Sequence, residues 1–345
     1  MSNHAGSAVY AKVRTRFGLR LTAEQFRTMC SLNTVGEVAE FLKATQRYRA
    51  IFRESTGNIH RDFLEKLIKK QARADISELC AYTQNTDKSL SKIISQKEEI
   101  DQFLLFLRYF FSGKPNEFAL AVSYTVNKTA EIDLLKLSDV TNIRQLYEVL
   151  KDTSYNKWLT ALAGREISYS EIEASLLKSY YSNAYQTLIK DKKEEAAKLF
   201  ARQCELSDIL QALRVNLYYP NDRRLLDYAY KIPYQLKKEQ YDRLLAANGI
   251  DEFSEALRDT PYGQIEDFTP QKAAEKAHKA QIKQYIKNIH FSSCAPTVLL
   301  SYAFYCNTEV RDIIHIIEGV RYGLSPEEIL KRLELYEIIR GENDG

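Results

Sequence analysis

Two helix-length patterns each occur three times along this chain of 345 residues, about a hundred residues apart. A chain with such a period is built from copies of one supersecondary unit. The first pattern couples a cap to an amphipathic run. Asn33-Thr34-Val35, Thr141-Asn142-Ile143 and Asn248-Gly249-Ile250 each place a capping-type residue before an apolar one, as a helix start requires. Apolar residues follow at Val38, Leu146 and Phe253, then at Leu42, Leu150 and Leu257, all on the helical face of the opening Val or Ile. The endings also match: Leu42-Lys43-Ala44-Thr45, Leu150-Lys151-Asp152-Thr153 and Leu257-Arg258-Asp259-Thr260, with Tyr48, Tyr155 and Tyr262 close behind. The three leucines stand 108 and 107 residues apart. Upstream, Leu21, Glu24, Gln25, Phe26 and Met29 of the first copy line up with Leu236, Glu239, Gln240, Tyr241 and Leu244 of the third.

The second pattern is a longer apolar helix opened by a glutamate. Glu99, Glu205 and Glu309 are each followed by apolar residues at the next, fourth, fifth and eighth positions. These are Ile100, Phe103, Leu104 and Leu107, then Leu206, Ile209, Leu210 and Leu213, then Val310, Ile313, Ile314 and Ile317. Such spacing predicts a buried helical stripe. The glutamates lie 106 and 104 residues apart, so two independent registers give one period. That period exceeds a tetratricopeptide or armadillo unit, and each copy is therefore expected to be a small multi-helix module. The expected modules are 1–115, 116–222 and 223–345, joined in one body.

Only 12 glycines and 7 prolines interrupt the chain, too few for the turns of a β-sandwich or barrel. The fold class expected is all-α. No run approaches the roughly 18 apolar residues of a membrane span. The opening Met1-Ser2-Asn3-His4 lacks the apolar core of a signal peptide, and the dispersed Cys30, Cys80, Cys204, Cys294 and Cys306 contain no C-x-x-C pair. These features suggest a cytoplasmic chain with free, mostly buried thiols.

Forty-nine basic against 46 acidic residues leave a net charge of +3, without the basic excess of a nucleic-acid-binding domain. One stripe stands out. Lys272, Lys276, Lys279, Lys283 and Lys287 share one side of a helix that follows Pro270. It suits a solvated face, or contact with an acidic protein partner or anionic lipid headgroups.

Catalytic motifs are lacking. There is no G-x-x-x-x-G-K-[ST], H-E-x-x-H or G-x-S-x-G sequence, which argues against the chain binding ATP itself. His290-Phe291-Ser292-Ser293-Cys294 holds nucleophile types, but a loop before Pro296 accounts for them, because triad members are seldom sequence neighbours. His60, His278 and His315 stand apart, giving no metal-ligand spacing. Glu205/Asp208 and Glu309/Asp312 resemble catalytic carboxylate pairs, yet the pairing recurs at one point of each apolar helix, with Glu99/Gln102 in the first copy. Recurrence suits a structural hydrogen-bonding or capping role. No catalytic, cofactor or metal residue is expected.

Tyr10-Ala11-Lys12-Val13-Arg14, the three L-[KR]-x-T endings with their tyrosines, and Tyr302 followed by Glu309-Val310-Arg311-Asp312-Ile313, Gly319 and Gly323 form an ordered set. Together they resemble the C subunit of the prokaryotic V/A-type ATPases (ATP synthases), the counterpart of the d subunit of the vacuolar ATPase. The resemblance runs over nearly the whole chain. It departs at Asp312 and Ile314, where the pattern would carry an Asn and a basic residue. It implies a funnel of three helical modules with pseudo-threefold symmetry, acting as a non-catalytic coupler on the cytoplasmic face of the membrane. Its implied partners are the central shaft of the ATP-hydrolysing head and the membrane rotor ring. A helical scaffold that binds other proteins would share the composition and the repeats, and an enzyme would need a deep pocket of convergent polar groups.

Overall fold

The computed structural model describes residues 2–53, 59–83, 87–118, 131–156, 168–219 and 222–343. Among them every long regular element is helical, as the scarcity of turn residues and the 3.6-residue periodicity dictate. In chain order the α-helices are α1 (Ser2–Gly18), α2 (Ala23–Cys30), α3 (Val35–Ala44), α4 (Arg61–Thr83), α5 (Lys88–Phe111), α6 (Leu134–Ser138), α7 (Ile143–Leu150), α8 (Tyr169–Lys190), α9 (Glu194–Tyr218), α10 (Lys238–Ala246), α11 (Ile250–Arg258), α12 (Pro270–Phe291), α13 (Ala295–Arg321), α14 (Pro326–Leu330) and α15 (Tyr336–Asn343). The helices divide between two compact units, one formed by Met1–Lys88 with Lys279–Gly345 and the other by Ser89–His278.

In the first unit α13 is the central element, with α1, α2, α3, α4 and α14 packed against it. Its buried stripe includes Leu299, Tyr302, Ile313 and Ile317. The N-terminal helix contributes Val9, Val13 and Phe17, all buried, and Phe17 meets Tyr305 edge-on with ring centres 4.9 Å apart. Two glycines of α13 and its exit have separate reasons. A Cβ on Gly319 would lie 2.5 Å from Ile329 Cγ1 of α14, so only glycine admits that approach. Gly323 has φ of 65° and turns the chain out of the helix while Leu324 donates its N–H to the Gly319 carbonyl at 3.0 Å.

The second unit is organised on α9. It packs against α8, α10 and α11, and its Ile209 and Leu213 share a core with Leu236, Tyr241, Leu244, Phe253 and Leu257.

The stripe expected on the glutamate-led helices holds at three of its four columns. The next, fourth and eighth residues are buried in all three copies. The fifth column departs: Leu104 is buried, but Leu210 is 39% exposed and Ile314 half-buried. At 100° per residue the fifth position lies at 140° from the glutamate, outside the arc from about 40° to 100° spanned by the other three columns. The opening residue of the first pattern also lies at the rim, since Ile143 is 64% exposed and Val35 and Ile250 are half-buried.

Candidate functional site

The recurring segments share most of their hydrogen bonds. At each start, the backbone N–H of Asn33, Thr141 or Asn248 donates at 2.8 Å to the side chain of Glu37, Gln145 or Glu252. The hydroxyl of Thr34 and the amide oxygen of Asn142 then accept from the third helical N–H, filling donors that a helix start leaves open. Gly249 has no side chain to do so and instead adopts φ of 99°. At each end, the Thr45, Thr153 or Thr260 hydroxyl donates to the carbonyl of Leu42, Leu150 or Leu257, at 2.6, 2.7 and 2.6 Å. Those three leucines are buried. Each threonine hydroxyl also accepts the N–H of the tyrosine behind it, which fixes that ring's position.

The tyrosines are aimed at the glutamates. Tyr155 OH donates to Glu99 at 3.4 Å, Tyr262 OH to Glu205 at 2.7 Å, and Tyr48 OH to Glu309 at 2.6 Å. Each glutamate also accepts the backbone N–H of a residue ahead of a short helix: Ile132 on Glu99, Leu236 on Glu205 at 3.0 Å, and Leu21 on Glu309 at 3.5 Å. The pairing is shifted by one copy. The glutamate of the first copy meets the cap segment of the second, the second meets the third, and the third meets the first across 261 residues of sequence.

Two of the joints carry a second carboxylate one turn on. Asp208 accepts from Tyr230 N and Lys231 N, both at 3.0 Å, and from Tyr241 OH. Asp312 accepts from Glu334 N at 3.0 Å and Leu335 N at 2.8 Å, immediately before α15. All five carboxylates are buried. Burial pushes the carboxyls of Glu99 and Asp208 above the usual range. It takes Asp312 to about 7, against the opposing pull of its two amide donors.

The joint at Glu309 has an addition that the periodicity did not reveal. Arg47, also buried, donates through Nε to Glu309 and at 3.2 Å to Tyr302 OH, and lies 3.3 Å from Asp75. Asp75 is bonded in turn by Arg16. Burial opposes the Arg47 charge, yet Glu309 and its neighbours hold its pKa well above the ordinary value. The corresponding positions before Tyr155 and Tyr262 are Ser154 and Pro261. An arginine one residue before Tyr48 was the only sequence signal for the cluster.

The remaining candidates have simpler settings. All five lysines of α12 are exposed, opposite the buried Ala273, Ile282, Tyr285, Ile286 and Ile289. Lys279 is paired with Glu337. Residues 292–294 form the loop between α12 and α13, with Cys294 half-buried and the other four cysteines buried, none of the five in a disulfide. The Tyr10–Arg14 motif holds the exit of α12: Arg14 donates at 2.9 Å to the Ile289 carbonyl, one that the helix end leaves open, and at 3.3 Å to that of Ser292, and Tyr10 OH donates to the Ser293 carbonyl in the loop. In the second unit, a cavity of about 290 Å³ adjoins Tyr155 and another of about 240 Å³ adjoins Asp208. Among the described residues no cluster of three His, Cys, Asp or Glu has metal-binding geometry, and no helix is long and apolar enough to cross a membrane.

Chemically, the joints pin backbone. Buried carboxylates that accept amide, phenol and guanidinium donors hold distant segments in fixed register. Glu99, Glu205 and Glu309, with Leu42, Leu150 and Leu257, are the repeating parts of that arrangement.

No curated protein matches the chain. A family model described as ATP synthase (C/AC39) subunit matches residues 9–332, a span that contains the three glutamates and the tyrosines that meet them. The chain belongs to the ATP synthase (C/AC39) subunit family.

Proposed function

We propose that this chain is the non-catalytic coupling subunit in the central stalk of a rotary V/A-type ATPase. It links the rotor shaft of the ATP-hydrolysing head to the membrane rotor ring, so that ATP turnover is coupled to proton or sodium transport. The observation that carries the reading, beside family membership, is the shifted pairing of the joints, in which the last glutamate is held by Leu21, Arg47 and Tyr48 from the first copy. Such pairing suits three modules, 1–115, 116–222 and 223–345, each lending its glutamate helix to the next in a cyclic order that ends where it begins. The funnel with pseudo-threefold symmetry that the family resemblance implies belongs to this proposal.

Such a part works through contacts alone. Moving one charge against a membrane potential involves about 2.3 kcal/mol per 100 mV, and a densely packed helical body transmits that load with little compression. In this reading one end of the body receives the shaft and the other rests on the ring at the cytoplasmic face, without crossing the bilayer. The test is depletion and add-back in the chain's own ATPase complex. Removing the chain should leave ATP hydrolysis by the head and abolish ion pumping, and returning it should restore pumping up to one copy per complex. Pumping that survives complete depletion contradicts the proposal.

A further inference from the structure

In the first unit, the C-terminal half of α12 ends in an exposed row. Lys279, Lys283, Lys287 and Phe291 follow one another at steps of four, so they lie along one strip of the helix. Phe291 is 78% exposed. The three lysines before it are exposed too, and Arg14, held on the Ile289 and Ser292 carbonyls either side of Phe291, adds an exposed guanidinium. A single exposed aromatic residue needs no explanation. One at the end of a row of cations, with Arg14 held on the flanking carbonyls, has the make-up of an interaction patch that pairs an aromatic anchor with charged groups.

The charge is concentrated here. Helix α12 carries five lysines and one glutamate, Glu275, a net +4, whereas the whole chain is +3; the rest of the molecule is therefore close to neutral. Only one lysine of the row has a carboxylate partner among the described residues. Glu337, in the first turn of α15, pairs with Lys279, and Lys283 and Lys287 form no ion pair among the described residues.

We propose that Lys283, Lys287, Arg14 and Phe291 form the docking strip for an acidic helical segment of a neighbouring protein subunit, with Phe291 entering an apolar pocket on that partner. The inference deepens the coupling reading and rests on it, because that reading supplies a protein neighbour. A helix with carboxylates one turn apart matches cations four residues apart, and the Lys279–Glu337 pair already shows a carboxylate of another helix seated on this row. A planar anionic membrane fits less well. The apolar face of α12 is turned into the core, which leaves Phe291 as the row's one apolar group to insert, and Glu337 beside the row would face the same headgroups.

The test uses the full chain in the purified ATPase complex. Wild type, the double reversal Lys283→Glu/Lys287→Glu and Phe291→Ala are compared for retention in the complex as salt is raised, with thermal melts of each free chain as the folding control. The strip predicts that the double reversal weakens retention about tenfold or more at low salt, with the difference shrinking at high salt. It predicts that Phe291→Ala weakens retention at every salt concentration. Retention equal to wild type in both variants overturns the inference. Cosedimentation of the free chain with vesicles about one third phosphatidylserine, abolished by the same reversal, would assign the strip to a membrane surface and also overturn it. Absence of the wild-type chain from the complex would instead refute the coupling reading, and the inference with it.

Discussion

The joints at Glu309 and Glu205 perform the same task with different donors. Glu205 is satisfied almost wholly by backbone, through the N–H groups of Tyr234, Gln235 and Leu236, plus Tyr262. Glu309 has one long backbone bond from Leu21 and depends on Arg47 and Tyr48. The contrast follows the chain. Glu205 and its donors are within 57 residues, where one continuous segment can wrap the carboxylate, whereas Glu309 must capture a segment from the other end of the sequence. A buried guanidinium, bound also to Asp75 and Tyr302, gives that distant closure a directional charged lock.

The lock is where the two joints should differ most under mutation. Arg47→Ala should destabilise the chain by about 3 to 5 kcal/mol, because it strands buried Glu309 without its counter-charge and leaves Asp75 with Arg16 alone. Chemical denaturation of the full chain measures this, and a loss under about 1 kcal/mol would show that the ion pair contributes little to closure.

The shared framework comes next. Leu257→Ala and Leu42→Ala should each cost about 2 to 5 kcal/mol through cavity formation, while Leu210→Ala, at an exposed position, should change stability by less than about 0.5 kcal/mol. Equal effects at Leu257 and Leu210 would mean that the two faces of this framework are wrongly assigned.

The second carboxylates separate the joints through pH. The Asp312 carboxyl moves from 3.8 to about 7 on burial, so the folded chain holds that proton more tightly than the unfolded one. Its stabilising contribution is complete below about pH 4 and is lost as pH rises to about 7, and the raised Glu99 and Asp208 act in the same direction. Asp312→Asn should therefore flatten the decline in stability between about pH 4 and 7, by roughly 2 to 4 kcal/mol across that window. Parallel pH profiles for variant and wild type would remove Asp312 from this role.

Much of this arrangement was legible in the sequence because local rules set it. Helix starts, the threonine endings and the three glutamates each follow from residue spacing and capping chemistry within about ten residues. What spacing could not supply was partnership. Nothing local links Tyr48 to Glu309 in preference to Glu99, or Arg47 to Asp75, since those choices are made by tertiary packing. Leu210 shows a related limit. Its apolar identity continues the column of Leu104 and Ile314, but a position at the rim of a helical stripe is buried only where a neighbouring element covers it, and Leu210 stays exposed.

On this reading the last glutamate is completed by the beginning of the chain, as its two counterparts are completed by the segments that follow them. Double-mutant cycles address that closure, using tyrosine→phenylalanine and glutamate→glutamine changes and equilibrium unfolding of the full chain. Tyr48 and Glu309 should show a coupling energy of about 0.5 to 3 kcal/mol, comparable with that of Tyr262 and Glu205. Tyr155 and Glu99, whose bond is 3.4 Å, should couple least of the three pairs. Tyr48 with Glu205 should be additive. If Tyr48 couples no more strongly to Glu309 than to Glu205, the closure between the two ends of the chain does not exist.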